Sequence, residues 1–296
     1  MTRGISVIPD QFKRYPDVCD HIDDERRSEL TRATRLLDYG DPALARLITE
    51  RGWRAMPESV RIGAIYDFVR NEIAFGYNRD DNIPASAVLA DGYGQCNTKA
   101  TLLMALLRGA QIACRLHGFT VDKALQRGVV PELVYGLAPD EVVHSWVEIH
   151  HGGGWINLED FILDDRYLEA LQAQFGGRGA GLCGYGAGTD DLDCPPVRWR
   201  GGDTYIQSTA IVRDFGRYDT PDEFFSGHGQ AMGAARRLLY RLVIRRWMNL
   251  RLGRMRRGHR CGRPWKRQDP PDLRTRSFEP RPPAHSIEPV DTGKAV

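Results

Sequence analysis

Long apolar runs are missing from this 296-residue sequence, so no segment is predicted to span a bilayer. No Cys-x-x-Cys pair and no Cys/His spacing typical of a metal site occurs either. Residues 1–28 carry several charged side chains, which argues against the apolar region of a secretory signal peptide. We therefore expect a cytoplasmic protein with reduced cysteines, and the pattern asks for no metal and no other cofactor.

Acidic residues are also missing from one long stretch of the chain, residues 224–268. Thirteen of the 41 basic residues lie within it, between Arg236 and Arg267. Because the formal net charge is only +2, the rest of the chain carries an excess of eleven acidic residues. An acidic body is therefore joined to a basic C-terminal arm.

Apolar periodicity and turn residues divide the chain into five parts. We predict a helical segment over 1–56, a core over 57–175, a glycine-rich loop and extension over 176–227, a basic amphipathic helix over 228–257, and a disordered Pro/Arg-rich tail over 258–296. Within them we expect helices over 28–39, 42–52 and 57–75, a helix from Cys96 to Gly109, strands over 112–121, 142–149 and 155–158, and a further strand within 199–212.

One cysteine stands where a nucleophile would be expected. Cys96 begins an apolar helix, His144 follows 48 residues later in a predicted strand, and Glu159 ends the next strand. The N-terminus of a helix offers free N–H groups and partial positive charge, so we expect the pKa of this thiol to be lowered. A histidine can take the thiol proton, and an acid can hold the imidazole in one tautomer. The order of these residues predicts an enzyme.

The hairpin that carries the histidine and the acid has a predictable register. If Val147 and Ile149 face the core, His144 lies on the opposite face of its strand. A two-residue turn at His151-Gly152 then places Glu159 directly across from His144. Glu159 is therefore the predicted partner of the imidazole.

Several segments in this order resemble the transglutaminase-like superfamily, a papain-related group that includes transglutaminases, peptide N-glycanases and peptidase-like proteins. The likeness covers roughly 61–160 and rests on Gly94-Gln95-Cys96, the Leu-rich helix after it, His144-Ser145-Trp146-Val147-Glu148 and Trp155-Ile156-Asn157-Leu158-Glu159. It implies an α+β, papain-like core in which helices, one of them led by the nucleophilic cysteine, pack on an antiparallel sheet.

The resemblance also implies roles for individual residues. Cys96 takes the position of the nucleophile and His144 that of the general base. The orienting acid of the family is an aspartate four residues after a tryptophan, and Glu159 stands there in this sequence. Asp160 and Asn157 are the alternatives to it. Three further residues are candidates for assisting the oxyanion or for walling the site: Gln95, Trp146 and Trp155.

The implied reaction is acyl transfer at an amide of a protein or peptide through a thioester. Water as the acceptor gives a cysteine peptidase or amidase, and an amine gives a transglutaminase-type enzyme. One alternative is a binding module that has lost catalysis and acts through its basic arm. Another is acetyl transfer of the kind that arylamine N-acetyltransferases perform with the same three residue roles.

The basic arm contains a segment with helical spacing, residues 231–255. Its apolar residues Leu239, Tyr240, Val243, Trp247 and Leu250 fall on one side of a helical wheel. We expect this side to pack on the domain, with Arg237, Arg241 and Arg245 in solvent. The alternative is that 236–257 bind an anionic membrane surface or an acidic partner. No recognition fold for nucleic acid accompanies the arginines, so specific nucleic-acid binding is not expected.

Overall fold

The computed structural model describes residues 22–136, 138–177, 179, 181–229 and 233–259, and these residues form a mixed α+β fold. The predicted fold class is therefore confirmed. The helices are α1 Asp24–Glu29, α2 Pro42–Glu50, α3 Glu58–Asn71, α4 Ala85–Asp91, α5 Cys96–Gly109, α6 Glu132–Tyr135, α7 Asp165–Phe175, α8 Pro221–Gly227, α9 Ala234–Leu239 and α10 Arg245–Arg256, with a π-helical turn over Tyr240–Ile244. Within the described ranges no helix is both long and apolar enough to cross a bilayer.

The strands form one antiparallel sheet of four strands and two small two-stranded pairs. They are β1 Ala74–Phe75, β2 Tyr93–Gly94, β3 Cys114–Asp122, β4 Glu141–His151, β5 Gly154–Leu158, β6 Leu182–Gly184, β7 Ala187–Thr189 and β8 Ile211–Tyr218. The order across the large sheet is β5-β4-β3-β8. Strand β1 pairs in parallel with β2, immediately before the helix led by Cys96.

The turn between β4 and β5 lies one residue later than the sequence predicts. His151 pairs with Gly154, so the two turn residues are Gly152 and Gly153, with φ of 61° and 80°. Positive φ at both positions is what a tight hairpin requires, and only glycine adopts it without strain. The prediction that Glu159 lies directly across from His144 is therefore wrong.

This change in register has a limited consequence for the site. Strand β5 ends at Leu158, which pairs with Val147, so Glu159 lies just beyond the ladder. Moving the turn by one residue shifts the pairing by two, and an even shift keeps every side chain on its face of the sheet. If the ladder were continued, Glu159 would lie opposite Trp146 and on the same face as His144.

Helix α5 is the central element of the core, and from Asn97 to Gly109 every residue in it is buried. It contacts β4 and β3 on one side and α3 and α4 on the other. Its N-terminus is capped reciprocally: the Gln95 N–H donates to Thr98 Oγ1, and the Gln95 side chain caps the first turn. Such a fully buried helix holds its first residue, Cys96, rigidly against the sheet.

The N-terminal part differs from the predicted helices in one segment. Helix α2 begins at Pro42, as predicted, and Asp41 is its N-cap. The predicted helix over 28–39 is wrong, because α1 ends at Glu29 and the following residues are irregular. A tertiary contact competes with the helix there: the Asp222 carboxylate accepts hydrogen bonds from the Leu36 N–H and from Thr34 Oγ1.

The residues after the core also differ in detail. The glycine-rich loop contains the small β6–β7 hairpin. The range predicted for a further strand, 199–212, is wrong, because β8 spans Ile211–Tyr218 and shares only Ile211 and Val212 with it. Within the range 199–212, Thr204 forms an isolated parallel bridge with Leu158, the last residue of β5. Of the predicted tail, only residues 258 and 259 belong to the described part of the chain. The division into five parts stays a prediction.

The C-terminal helix packs on the domain with a different side from the one predicted. Tyr240, as expected, and then Ile244, Met248, Leu252 and Met255 face the domain core. Leu239, Val243, Trp247 and Leu250 are exposed, so the prediction for these four residues is wrong. The segment carries two apolar stripes, and periodicity alone does not tell which of them meets the domain.

Candidate functional site

Cys96 is the first residue of α5 and is partly exposed. The backbone N–H groups of Cys96 and Asn97 act to lower the pKa of the thiol. These are N–H groups that no carbonyl of the helix can satisfy. The sulfur therefore lies where the backbone favours negative charge.

The electrostatic environment of the thiol nevertheless opposes ionisation. Burial is the largest cause that raises the pKa of Cys96 above its usual value, and the nearby carboxylate of Asp81 raises it further. Glu159 acts in the same direction, and the two N–H groups oppose it. The prediction of a lowered thiol pKa is therefore wrong for the resting structure, in which the sulfur is a neutral thiol.

Gln95, the residue before Cys96, ties a neighbouring loop to the start of α5. Its Oε1 accepts from the Asn78 N–H at 2.8 Å, and its Nε2 donates to Asp81 Oδ1 at 2.7 Å. Asn78 in turn accepts from Thr98 Oγ1 at 2.6 Å. Both ends of the Gln95 side chain are thus engaged in positioning residues 77–82, and through them the Asp81 carboxylate beside the thiol.

Asn97, the residue after Cys96, joins α5 to the strand that carries the histidine. Its Nδ2 donates to the carbonyl of Val143 at 3.1 Å, and its Oδ1 accepts from Ser145 Oγ at 3.0 Å. These two partners are the residues on either side of His144. The residue that follows Cys96 in the sequence therefore contacts both neighbours of the histidine, a link that no motif in the sequence indicated.

His144 is buried on β4 and stacks on Phe119, with ring centroids 4.7 Å apart. Its Nε2 is hydrogen-bonded to Gln207 Oε1. Its Nδ1 has no hydrogen-bond partner within the described part of the chain. Burial lowers the pKa of His144 to about 4, so the ring is neutral near pH 7.

Gln207 is the residue that sequence reasoning missed. Its Nε2 donates to the Gly186 carbonyl at 2.5 Å, which fixes the orientation of the amide and turns Oε1 towards His144. An amide oxygen only accepts, so the imidazole Nε2 must carry the ring proton and Nδ1 the lone pair. Gln207 lies 63 residues after His144 in a stretch without a recognisable motif, so no sequence signal could have identified it.

Glu159 is fully buried, and its contacts are with the backbone that carries Gln207. Its Oε2 accepts from the N–H groups of Ile206 at 2.9 Å and Gln207 at 3.1 Å. Its Oε1 has no partner among the residues described. Burial raises the pKa of Glu159 to about 7, against the lowering effect of the two N–H donors. Glu159 therefore acts on His144 only indirectly: it holds the backbone of Gln207, and the Gln207 side chain contacts the imidazole.

The two alternatives for the acid are engaged elsewhere. Asp160 is buried and forms an ion pair with Arg70 at 3.1 Å. The Asn157 side chain donates to the Tyr205 hydroxyl at 2.8 Å. These contacts hold the segment around Glu159 in place.

The two tryptophans lie at different distances from the histidine. Trp146 is buried two residues along β4 and packs on Phe119, with ring centroids 4.6 Å apart. Trp155 pairs with His150 near the turn of the hairpin, roughly 20 Å along the strand from His144. Its ring lies against the Arg115 guanidinium at 3.6 Å. The structure brings Trp146 close to the site and does not bring Trp155 there.

Comparison with known proteins agrees with this architecture. Residues 46–159 match the model of the transglutaminase-like superfamily. The chain therefore carries a transglutaminase-like superfamily domain over these residues, and the predicted resemblance is confirmed.

No group of three or more His, Cys, Asp and Glu side chains arranged for a metal ion occurs within the described ranges.

A search of solved structures adds a distant likeness. A protein from Cytophaga hutchinsonii, described as a "putative cysteine protease", is 19% identical, with a TM-score of 0.35. The match covers 46% of this chain and 42% of that protein, so this chain spans less than half the length of the relative. No curated protein matches the sequence.

Proposed function

We propose that the protein catalyses thiol-dependent acyl transfer at an amide of a protein or peptide, through a thioester on Cys96. The contact that carries the proposal is a pair of hydrogen bonds at Asn97, one donated to the Val143 carbonyl and one accepted from the Ser145 hydroxyl. It ties the start of α5 to the residues that flank His144, and it supports a nucleophile and a base that belong to one site.

The neutral forms of the two groups suggest how the first step proceeds. With the ring proton on Nε2, His144 Nδ1 is the atom that accepts the proton of the Cys96 thiol as the sulfur attacks the amide carbonyl. The negative charge moves to the carbonyl oxygen, and the backbone N–H of Cys96 is the first donor that we assign to it.

The remaining steps follow from proton balance. The tetrahedral intermediate collapses, the C–N bond breaks, and the imidazolium returns its proton to the leaving ammonia or amine. The carbonyl carbon is then held by Cys96 as a thioester. His144 deprotonates a water molecule or a second amine as it attacks the thioester, and the imidazolium returns that proton to the Cys96 sulfur as the C–S bond breaks. Water makes the protein a peptidase or amidase, and an amine makes it a transglutaminase-type enzyme.

Gln207 and Glu159 have positioning roles in this proposal. Gln207 stabilises the tautomer that leaves Nδ1 free, as an asparagine does in papain-like sites. Glu159 anchors the N–H groups of Ile206 and Gln207, so that the amide oxygen stays in reach of the ring. The longer side chain of glutamate, compared with the aspartate of the family, suits this indirect role.

The test uses the full chain and peptides that contain side-chain and C-terminal carboxamides. Ammonia release, peptide-bond cleavage and incorporation of an added primary amine are measured in parallel, and the mass of the intact protein reports the acyl adduct. We expect Cys96→Ala and His144→Ala to lose turnover, and Cys194→Ser, an exposed cysteine outside the site, to retain it. Turnover that survives in Cys96→Ala overturns the proposal.

A second candidate function is a binding module that has lost catalysis and acts through residues 236–257. The raised pKa of Cys96 favours it, because a resting thiol is a poor nucleophile. The pH dependence of iodoacetamide alkylation at Cys96 separates the two. A rate that falls in His144→Ala supports the enzyme, and an unreactive thiol that is insensitive to His144 supports the binding module.

A further inference from the structure

The C-terminal helix exposes a continuous apolar stripe to solvent. Leu239, Val243, Trp247 and Leu250 follow one another at spacings of four, four and three residues, which places them along one side. Val243 is 57% exposed and Leu250 60% exposed. Large apolar side chains gathered in one exposed patch mark a surface that binds something. We call these four residues the exposed stripe.

The exposed stripe does not result from a loosely attached helix. The opposite side of the helix is buried through Met248, Leu252 and Met255. Asn249 forms two hydrogen bonds with the backbone of Tyr77, at 2.7 and 3.0 Å. The helix is thus fixed to the domain on one side, and the stripe points away from it.

The charged residues of the C-terminal helix itself all have one sign. Arg246, Arg254 and Arg257 are exposed and lie on the same side of the helix as the stripe. No acidic residue occurs anywhere in 224–268 to neutralise them. Two copies of this helix face to face would bring arginines against arginines, so the surface is unsuited to self-association.

We propose that this face of the C-terminal helix binds the surface of an anionic lipid bilayer. The helix would lie in the plane of the interface, with Val243, Trp247 and Leu250 among the acyl chains and the arginines at the phosphates. Tryptophan favours this depth because its ring is apolar and its N–H is polar. Nucleic acid would need the arginines but would leave four apolar side chains in water.

The proposed membrane face is linked to the candidate active site through a short loop. On the inner side of the helix, the Tyr240 hydroxyl donates to the Asn78 carbonyl at 3.1 Å, and Arg241 pairs with Asp80 at 3.1 Å. The same loop, residues 77–82, is held by Gln95 next to Cys96. Binding through the exposed stripe would therefore place the candidate site beside the bilayer. The proposal does not depend on catalysis.

The test is co-sedimentation of the full chain with vesicles of phosphatidylcholine, with and without phosphatidylglycerol, at low and high salt. We expect binding only to the anionic vesicles, and weaker binding at high salt. Substituting Arg246, Arg254 and Arg257 together by Gln should weaken binding roughly a hundredfold, at about one kcal/mol for each basic residue. The matched control is Arg213→Gln, an exposed arginine on β8, which should bind like the wild type.

Apolar substitutions distinguish lipid from other anionic partners. Val243→Gln combined with Leu250→Gln should weaken vesicle binding by roughly tenfold. Val60→Gln is the control, because Val60 on α3 is also 57% exposed but lies outside the stripe. The absence of binding to anionic vesicles overturns the proposal. So does binding that is unchanged in the double variant, since charge alone, as in nucleic-acid binding, would then explain it. Dimerisation that the double variant abolishes also overturns it.

Discussion

Replacing Glu159 by glutamine tests the chemistry of the buried acid directly. The carboxyl accepts two N–H groups through Oε2, while Oε1 has no partner within the described residues. The amide oxygen of glutamine can accept the same two bonds, and the side chain has nearly the same shape. The substitution therefore removes the ionisation of residue 159 while keeping its contacts.

The magnitude follows from the pKa of the carboxyl. Burial raises it from 4.5 to about 7, and one pKa unit corresponds to about 1.4 kcal/mol. The folded protein binds the proton of Glu159 more tightly than the unfolded chain does. The resulting contribution to the free energy of unfolding is therefore fully present below about pH 4.5 and is lost as the pH rises through 7. As the pH rises through this window, the free energy of unfolding of the wild type should fall by about 3 kcal/mol relative to that of Glu159→Gln.

The assay is urea unfolding of both proteins at about pH 4.5 and about pH 8, compared as the difference between variant and wild type. Other groups that titrate largely cancel in that difference. The titration of Asp160 does not cancel fully, because the charge of Glu159 raises the pKa of Asp160 in the wild type alone. This adds to the expected difference, since it too makes the wild type lose more stability as the pH rises.

Glu148→Gln is a matched control with the opposite shift. The Glu148 carboxylate is buried among His117, Arg115 and Arg217. Burial alone would raise its pKa, but the hydrogen bond with His117 and the positive charges of the two arginines outweigh burial and lower the pKa from 4.5 to about 2. Its stabilisation is present above 4.5 and is lost only as the pH falls towards 2. The variant should therefore be less stable than wild type at both pH values, and the deficit should be larger at about pH 4.5, because Glu148 also raises the pKa of His117 and the variant gains less from the imidazole proton. If Glu159→Gln and wild type lose stability equally from low to high pH, the assignment of Glu159 as a carboxyl with a raised pKa is refuted.

The other predictions concern the thiol, the imidazole and the sheet. Asp81→Asn removes a negative charge beside the thiol, so the pKa of Cys96 should fall and alkylation at pH 8 should become faster. Gln207→Ala should lower kcat at least tenfold, with little change in KM, because the ring loses its fixed tautomer. Gly118→Ala should destabilise the fold by about 2 kcal/mol in urea unfolding, since its Cβ would lie 2.2 Å from a phenylalanine ring of α8. Gly202→Ala, in open space, should be nearly neutral.

Each of these has an outcome that contradicts it. Unchanged or slower alkylation in Asp81→Asn would mean that the carboxylate does not act on Cys96. A larger KM with an unchanged kcat in Gln207→Ala would assign that residue to substrate binding instead of positioning. Equal unfolding free energies for Gly118→Ala and Gly202→Ala would mean that the ring moves aside without cost.

Local pattern was sufficient for the class of fold and for the first elements of the site. The buried leucines after Cys96 predict a helix because their spacing suits no other element, and Gly109 ends it where expected. The hairpin that carries His144 was recognisable from its alternating residues and glycine turn. Its register was not, because the predicted turn at His151-Gly152 and the observed turn at Gly152-Gly153 differ by one residue, and only the positive φ of both glycines distinguishes them.

By itself the sequence determined which residues could do chemistry: a cysteine at a helix start, a histidine in a strand and an acid at the end of the next one. Their order follows from local hydrogen bonding and periodicity, which act over a few residues. The tertiary structure alone decided what surrounds them. Gln207, 63 residues away in the sequence, forms a hydrogen bond with His144, and the Asp81 carboxylate is held near the thiol by a hydrogen bond from Gln95. Burial is the largest cause of the pKa shifts of Cys96, His144 and Glu159. Contacts between distant segments depend on how the whole chain packs, and no local pattern encodes them.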